Sequence, residues 1–151
     1  MVKTTTQVLE ITGGSDLAEP FAMDREAAIR PGMVVAIDPG HPGQLRLAEH
    51  AYDRTVAGIV SGANGIKPGL TMTSDTAAQH ARPVALTGRV YAWADATHDP
   101  IQPGDLLTTA GTPGHAMKVT DYARAQGAVL GKAMSALPAG TGLVLVLVSL
   151  Q

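Results

Sequence analysis

The chain has 151 residues, of which 45% are hydrophobic and only 16% charged, with a formal charge of −2 and no cysteine. This length suits one domain that buries roughly two-thirds of the surface its unfolded chain exposes, and the apolar content excludes a disordered, solvated chain. The charge balance argues against a nucleic-acid partner, which needs many phosphates neutralised, and the missing thiols exclude disulfides, thiolate catalysis and cysteine-ligated metals.

Met1 to Val8 lacks the apolar core of a signal peptide. Thr4 to Thr12 alternates loosely and is rich in β-formers, so residues 1–13 read as a strand or extended arm stopped at Gly13-Gly14. Residues 14–151 read as a single β-rich domain. Ser15 looks like a helix cap, but Pro20 arrives too early for more than a turn, which leaves a bend leading into an extended piece. Asp24 to Arg30 is a loop with one turn before Pro31. Pro31-Gly32 fits a type II turn, Met33 to Asp38 a strand, and Gln44 to Ala48 its hairpin partner across Pro39-Gly40-His41-Pro42-Gly43.

Thr55 to Val60 is the next strand, followed by a turn cluster at Ser61 to Gly65 and a third Pro-Gly corner at Pro68-Gly69. Thr71 to His80 is polar and carries no clear pattern. Pro83 to Ala94 reads as one long strand, or as two bent at Gly88. Asp105 to Ala110 and Ala116 to Val119 flank the turn Gly111-Thr112-Pro113-Gly114-His115. Asp121 to Gln126 makes one or two helical turns before Gly127, and Ala128 to Ala133 is a strand. Pro138 to Gly142 turns the chain into a last strand, Leu143 to Leu150. Its six-residue Leu-Val run is too short to cross a bilayer as a helix.

Two segments share a plan. Pro31-Gly32-Met33-Val34-Val35 and Pro103-Gly104-Asp105-Leu106-Leu107 start 72 residues apart, and each reaches a second apolar strand after 24 more. The related halves lie around 31–62 and 103–134. With 17 glycines and 10 prolines mostly between strands, an all-β barrel, roll or sandwich with an internal pseudo-repeat and few helical turns is expected. So few charges would leave a monomer short of polar cover, which favours an oligomer.

The five histidines, at 41, 50, 80, 98 and 115, form no metal-ligand spacing. His98 with Asp95 and Asp99, and His50 with Asp53, read as solvated turns, and no metal or cofactor is expected. No Gly-x-Ser-x-Gly elbow is present, and Gly62 to Gly69 lacks the order of a phosphate loop. Tyr52, Tyr91, Trp93 and Tyr122 are dispersed and read as core or interface residues. One junction carries chemistry: in Gly13-Gly14-Ser15-Asp16 the Ser15 hydroxyl sits beside an acid. There, Ser15 Oγ attacking the Gly14 carbonyl would make an N–O acyl shift, with Asp16 activating the nucleophile or protonating the leaving amine. A plain turn is the alternative.

Gly14-Ser15-Asp16-Leu17-Ala18-Glu19-Pro20-Phe21, Gly32-Met33-Val34-Val35, Leu45-Arg46-Leu47-Ala48 and Val56 to Gly62 together resemble the carboxy-terminal domains of phage neck-appendage and tail-fibre proteins, the peptidase G2 intramolecular-chaperone autoproteolytic family. Asp105 to Thr109, Gly131 to Ala133 and the Leu-Val tail are similar to related fibre ends. Asp16, Ala18, Glu19 and Phe21 match the family's acidic-aromatic motif, whereas Pro20 stands where many relatives carry an aromatic or bulky residue. The resemblance implies a homotrimer at the end of an upstream fibre shaft that registers, folds and caps three chains, located in a virion or phage-like particle; without it the expectation is cytoplasmic. No membrane or nucleic-acid partner is expected. The alternatives are self-cleavage near Ser15 and Asp16, and a receptor- or glycan-binding tip that would present Trp93 or a tyrosine in an exposed groove.

Overall fold

The structure, a computed structural model, describes residues 16–24, 28–65, 70–71 and 81–151. The protein is all-β, as its sequence predicts. Its strands are β1 (Asp16–Ala22), β2 (Val34–Ile37), β3 (Leu45–Leu47), β4 (Val56–Val60), β5 (Leu70–Thr71), β6 (Ala81–Asp95), β7 (Leu106–Thr109), β8 (Ala116–Lys118), β9 (Val129–Ala133) and β10 (Thr141–Val148). Among the described residues, helical structure is limited to a 3-10 turn at Ala63–Gly65 and a four-residue helix, α1 (Tyr122–Ala125). Asp121 caps α1, its side chain accepting from Arg124 N at 3.3 Å.

Strand β6 runs unbroken for 15 residues and organises everything else. Gly88 does not split it, but takes a φ of +96° at the point where the pairing partners change. The first half of β6 pairs with β1 and β4, and the second half with β10 and β8. From the second half the sheet runs β6–β10–β9–β7–β8 and returns to β6, a closed five-stranded barrel. From the first half it runs β6–β4–β2–β3, and a parallel bridge between Met23 and Leu45 returns it through β1 to β6. Two small barrels therefore share one long strand, and closure leaves few free edges.

The two barrels are built alike. Val35 pairs with Gly58 and Ala36 with Val56, a one-residue bulge; Leu107 pairs with Gly131 and Thr108 with Val129, the same bulge. Gly32 N donates to Val60 O at 2.7 Å, and Gly104 N donates to Ala133 O at 2.8 Å. Both Pro-Gly openings are turned as expected, with φ of +88° at Gly32 and +93° at Gly104. Strand β1 meets β6 in the register with which the second half of β6 meets β10: Glu19 faces Val84 as Val90 faces Val146.

The cores follow the same correspondence. Phe21, Met23, Ile29, Val35, Leu45, Val60, Val84 and Leu86 pack together in the first barrel. Ala92, Ala94, Ile101, Leu107, Ala116, Ala133, Val146 and Val148 occupy the matching positions of the second. Val34, Ala36, Ala48, Val56, Ile59 and Ala85 turn away from the first core and join the second barrel's cluster, so one outer face of the first barrel is buried against the second. Each Val, Leu or Ile so buried contributes about 1.5–3 kcal/mol.

Three expectations need correction. Strand β10 begins at Thr141, because Thr141 and Gly142 pair with Asp95 and Ala94 instead of turning. The stretch from Asp16 is strand at once, with Pro20 opposite Pro83, so two residues without an N–H coincide at one rung. Leu70 and Thr71, placed in the sequence at a corner and in a patternless stretch, form a short strand parallel to β1. The arm at 1–13, Ser15, His80 and most of 66–80 lie outside the described residues.

Candidate functional site

Asp16 is the candidate catalytic residue that the structure describes; Ser15 lies outside the described residues. Asp16 opens β1 opposite Gly88 and is only 5% exposed. Its partner is Ser61, which follows β4 and is 4% exposed. Ser61 Oγ donates to Asp16 Oδ2 at 2.8 Å, and Ser61 N donates to Pro83 O at 2.9 Å. Asp16 Oδ1 is buried without a hydrogen-bond partner among the described residues. Burial raises the Asp16 carboxyl above its ordinary value of 3.8, outweighing hydrogen bonds from Ser61 and its own backbone amide that pull it down.

A carboxylate of raised pKa holding a serine hydroxyl has the relation of a general base to a nucleophile. Burial of both residues closes the route by which a substrate from solvent would reach them. What the pair does in this fold is join the start of β1 to the end of β4 beside β6. Sequence reading placed Ser61 in a turn cluster and linked Asp16 to its chain neighbour Ser15. The link to Ser61 spans 45 residues, and no local pattern encodes it.

Of the remaining polar candidates, Asp95 and Asp105 are occupied in internal bonds. Asp95, His98, Asp99, Thr112 and Lys118 line a cleft of about 300 Å³. There Thr112 Oγ1 donates to Asp95 Oδ2 at 2.6 Å and Thr97 N donates to Oδ1 at 2.8 Å. The Thr112 hydroxyl first, then Thr97, hold the Asp95 carboxyl down to about 2. Asp105 accepts from Gln102 N at 2.8 Å and pairs with Lys118 at 3.6 Å. Among the described residues no group of three metal-ligating side chains comes together. Gly62 leads into the 3-10 turn, and the rest of that glycine-lysine stretch lies outside the described residues.

Trp93 is half-buried and held on two sides. The Arg30 guanidinium lies 5.2 Å from its ring centre, and the His115 ring 6.2 Å away at a tilt. The aromatic residue that knits the barrels is Tyr52, whose role the sequence did not suggest. It takes the left-handed conformation, φ +55°, which costs about 1–2 kcal/mol for a residue of this bulk. Its N–H donates to Thr109 O at 3.2 Å, and its phenol oxygen accepts from Thr120 N at 3.0 Å and Asp121 N at 2.9 Å. Burial opposes ionisation of that phenol, yet the bonds from Thr120 and Asp121 outweigh it and bring it below its ordinary value. Arg124 stacks on the ring at 4.6 Å. Tyr122, in contrast, is 70% exposed.

A scan against protein-family models and a search of curated proteins return no match for this chain.

Proposed function

We propose that the chain is a self-associating structural module without catalytic turnover, the trimerising and capping end of a phage-like tail fibre or appendage. The observation that carries this reading is a surface mismatch. A chain with 16% charged residues exposes Ile37, Tyr122, Met134, Leu147 and Leu150 at 42–70% each, outside two already filled cores. Association covers such side chains. The consumption of Asp95, Asp105 and Thr112 in internal bonds supports a structural role over a chemical one. The fibre assignment rests on the sequence resemblance alone.

Sedimentation equilibrium at micromolar concentration tests the proposal: a mass three times that of one chain is expected, and a single-chain mass refutes it. Self-cleavage near Ser15 and Asp16 is the second reading, motivated by the buried Asp16 carboxyl. It requires that intact mass fall on incubation and that Asp16→Ala prevent the fall. An intact mass that stays constant removes it.

A further inference from the structure

We propose that the contact joining the two barrels within one chain is made a second time between chains, the β2–β3 hairpin tip of one copy seating in a notch on the second barrel of another. This rests on the self-association reading above and names its interface.

Within the chain the contact is explicit. The tip of the β7–β8 hairpin lies on the first barrel, where Gly114 N donates to Ala48 O at 2.7 Å and Val34 N donates to Gly114 O at 2.9 Å. The fit is tight: a Cβ on Gly114 would lie 2.9 Å from Leu47 Cδ1 and 3.0 Å from Met33 Cγ. At the base of the hairpin Thr109 is fully buried, accepting from Asp53 N at 2.8 Å and donating to His50 O at 2.6 Å.

The β2–β3 hairpin has the same tip. Asp38 N donates to Gln44 O at 3.0 Å as Ala110 N does to His115 O at 2.9 Å. Gln44 N donates to His41 O at 3.0 Å as His115 N does to Thr112 O at 3.1 Å. Both tips end in Pro-Gly, with φ of +82° at Gly43 and +72° at Gly114. The difference is occupancy: nothing lies within 4 Å of a Cβ placed on Gly43.

The receiving notch is also repeated. Val119 N donates to Leu106 O at 2.8 Å, as Ala48 N does to Val34 O at 3.0 Å. Leu106 N and Val119 O thus stand where Val34 N and Ala48 O take the Gly114 peptide, and no hairpin of the described chain covers them. Ile37, the counterpart of buried Thr109, is 50% exposed, and Tyr122 is 70% exposed in the segment matching the Thr109-binding loop. Docking brings these two together. Asp105 and Lys118, 3.6 Å apart, replace Met33 and Leu47. That gives the notch a charged rim, as a surface wetted before assembly needs.

A tip that fits a notch elsewhere on the same chain makes a head-to-tail contact, which closes into a ring when the rotation permits. Three chains would make a ring of six barrels. Because the chain has no cysteine, single variants report the contact cleanly. Pro42→Cys and Lys118→Cys, mixed and oxidised, are expected to form the mixed disulfide in preference to either homodisulfide. Gly43→Asn, which tolerates the left-handed conformation, is expected to leave the circular dichroism of the fold unchanged and weaken association at least tenfold. A wild-type oligomer that gives no mixed disulfide and is unmoved by Gly43→Asn overturns the hairpin contact while leaving self-association standing. A wild-type protein that sediments as one chain removes both.

Discussion

Gly131→Ala places one methyl group at the rung where β9 crosses β10, opposite Val148. The new Cβ would fall on the carbonyl oxygen of Leu147, with Leu147 C at 3.0 Å and Val148 Cα at 3.1 Å. These are backbone atoms of a strand paired on both sides, so no rotamer change relieves the overlap. The φ of +156° adds a conformation that an L-residue rarely adopts. Overpacking costs about 1–3 kcal/mol and the backbone conformation about 1–2 kcal/mol, which together predict a loss of about 2–5 kcal/mol. Gly140→Ala is the control: it has φ of +65° and nothing within 4 Å, so it carries only the backbone cost. Equilibrium unfolding in urea, at a slope of about 2 kcal/mol/M, should lower the Gly131→Ala midpoint by about 1–2.5 M and the Gly140→Ala midpoint by about 0.5–1 M. Equal midpoints would refute the reasoning. Gly58→Ala, whose Cβ meets Ala85 O at 2.6 Å, should behave like Gly131→Ala because it occupies the same bulge of the other barrel.

Three further outcomes are expected. The folded pKa of Asp16 lies above its unfolded value, so its contribution to stability is complete below about pH 3.8 and lost as pH rises through the folded pKa; relative to wild type, Asp16→Asn should therefore gain stability between pH 3 and pH 7 in urea titrations, and a pH-independent difference would contradict the burial argument. Asp95 has the opposite sign: its stabilisation is present above pH 3.8 and is lost as pH falls through about 2. Thr112→Val should move the Asp95 carboxyl resonance titration back towards 3.8 in NMR, since the largest bond holding it down is gone. Tyr52→Phe strands the N–H groups of Thr120 and Asp121 and should cost about 1–2 kcal/mol by chemical denaturation; a change below 0.5 kcal/mol would show that water replaces the phenol oxygen.

The amino-acid sequence by itself determined the elements. Pro31-Gly32 and Pro103-Gly104 announce turns, because proline presets one dihedral and glycine accepts the next. The largely apolar runs that follow each pair become β2 and β4, then β7 and β9, and the inexact repeat marks segments that share one bulge and one pairing scheme. Short-range stereochemistry suffices for that much. What only the tertiary structure decided is closure and partnership. Glu19 facing Val84, Met23 bridging Leu45, and Asp16 accepting from Ser61 are contacts between residues far apart in the chain. Alternation says which face of a strand is apolar, but not which strand it meets. Tyr52 shows the same limit: nothing local predicts that a loop tyrosine accepts the left-handed conformation to bind the 120–121 amides. Those choices belong to the packing of two barrels around one strand, whose energy is summed over the whole chain.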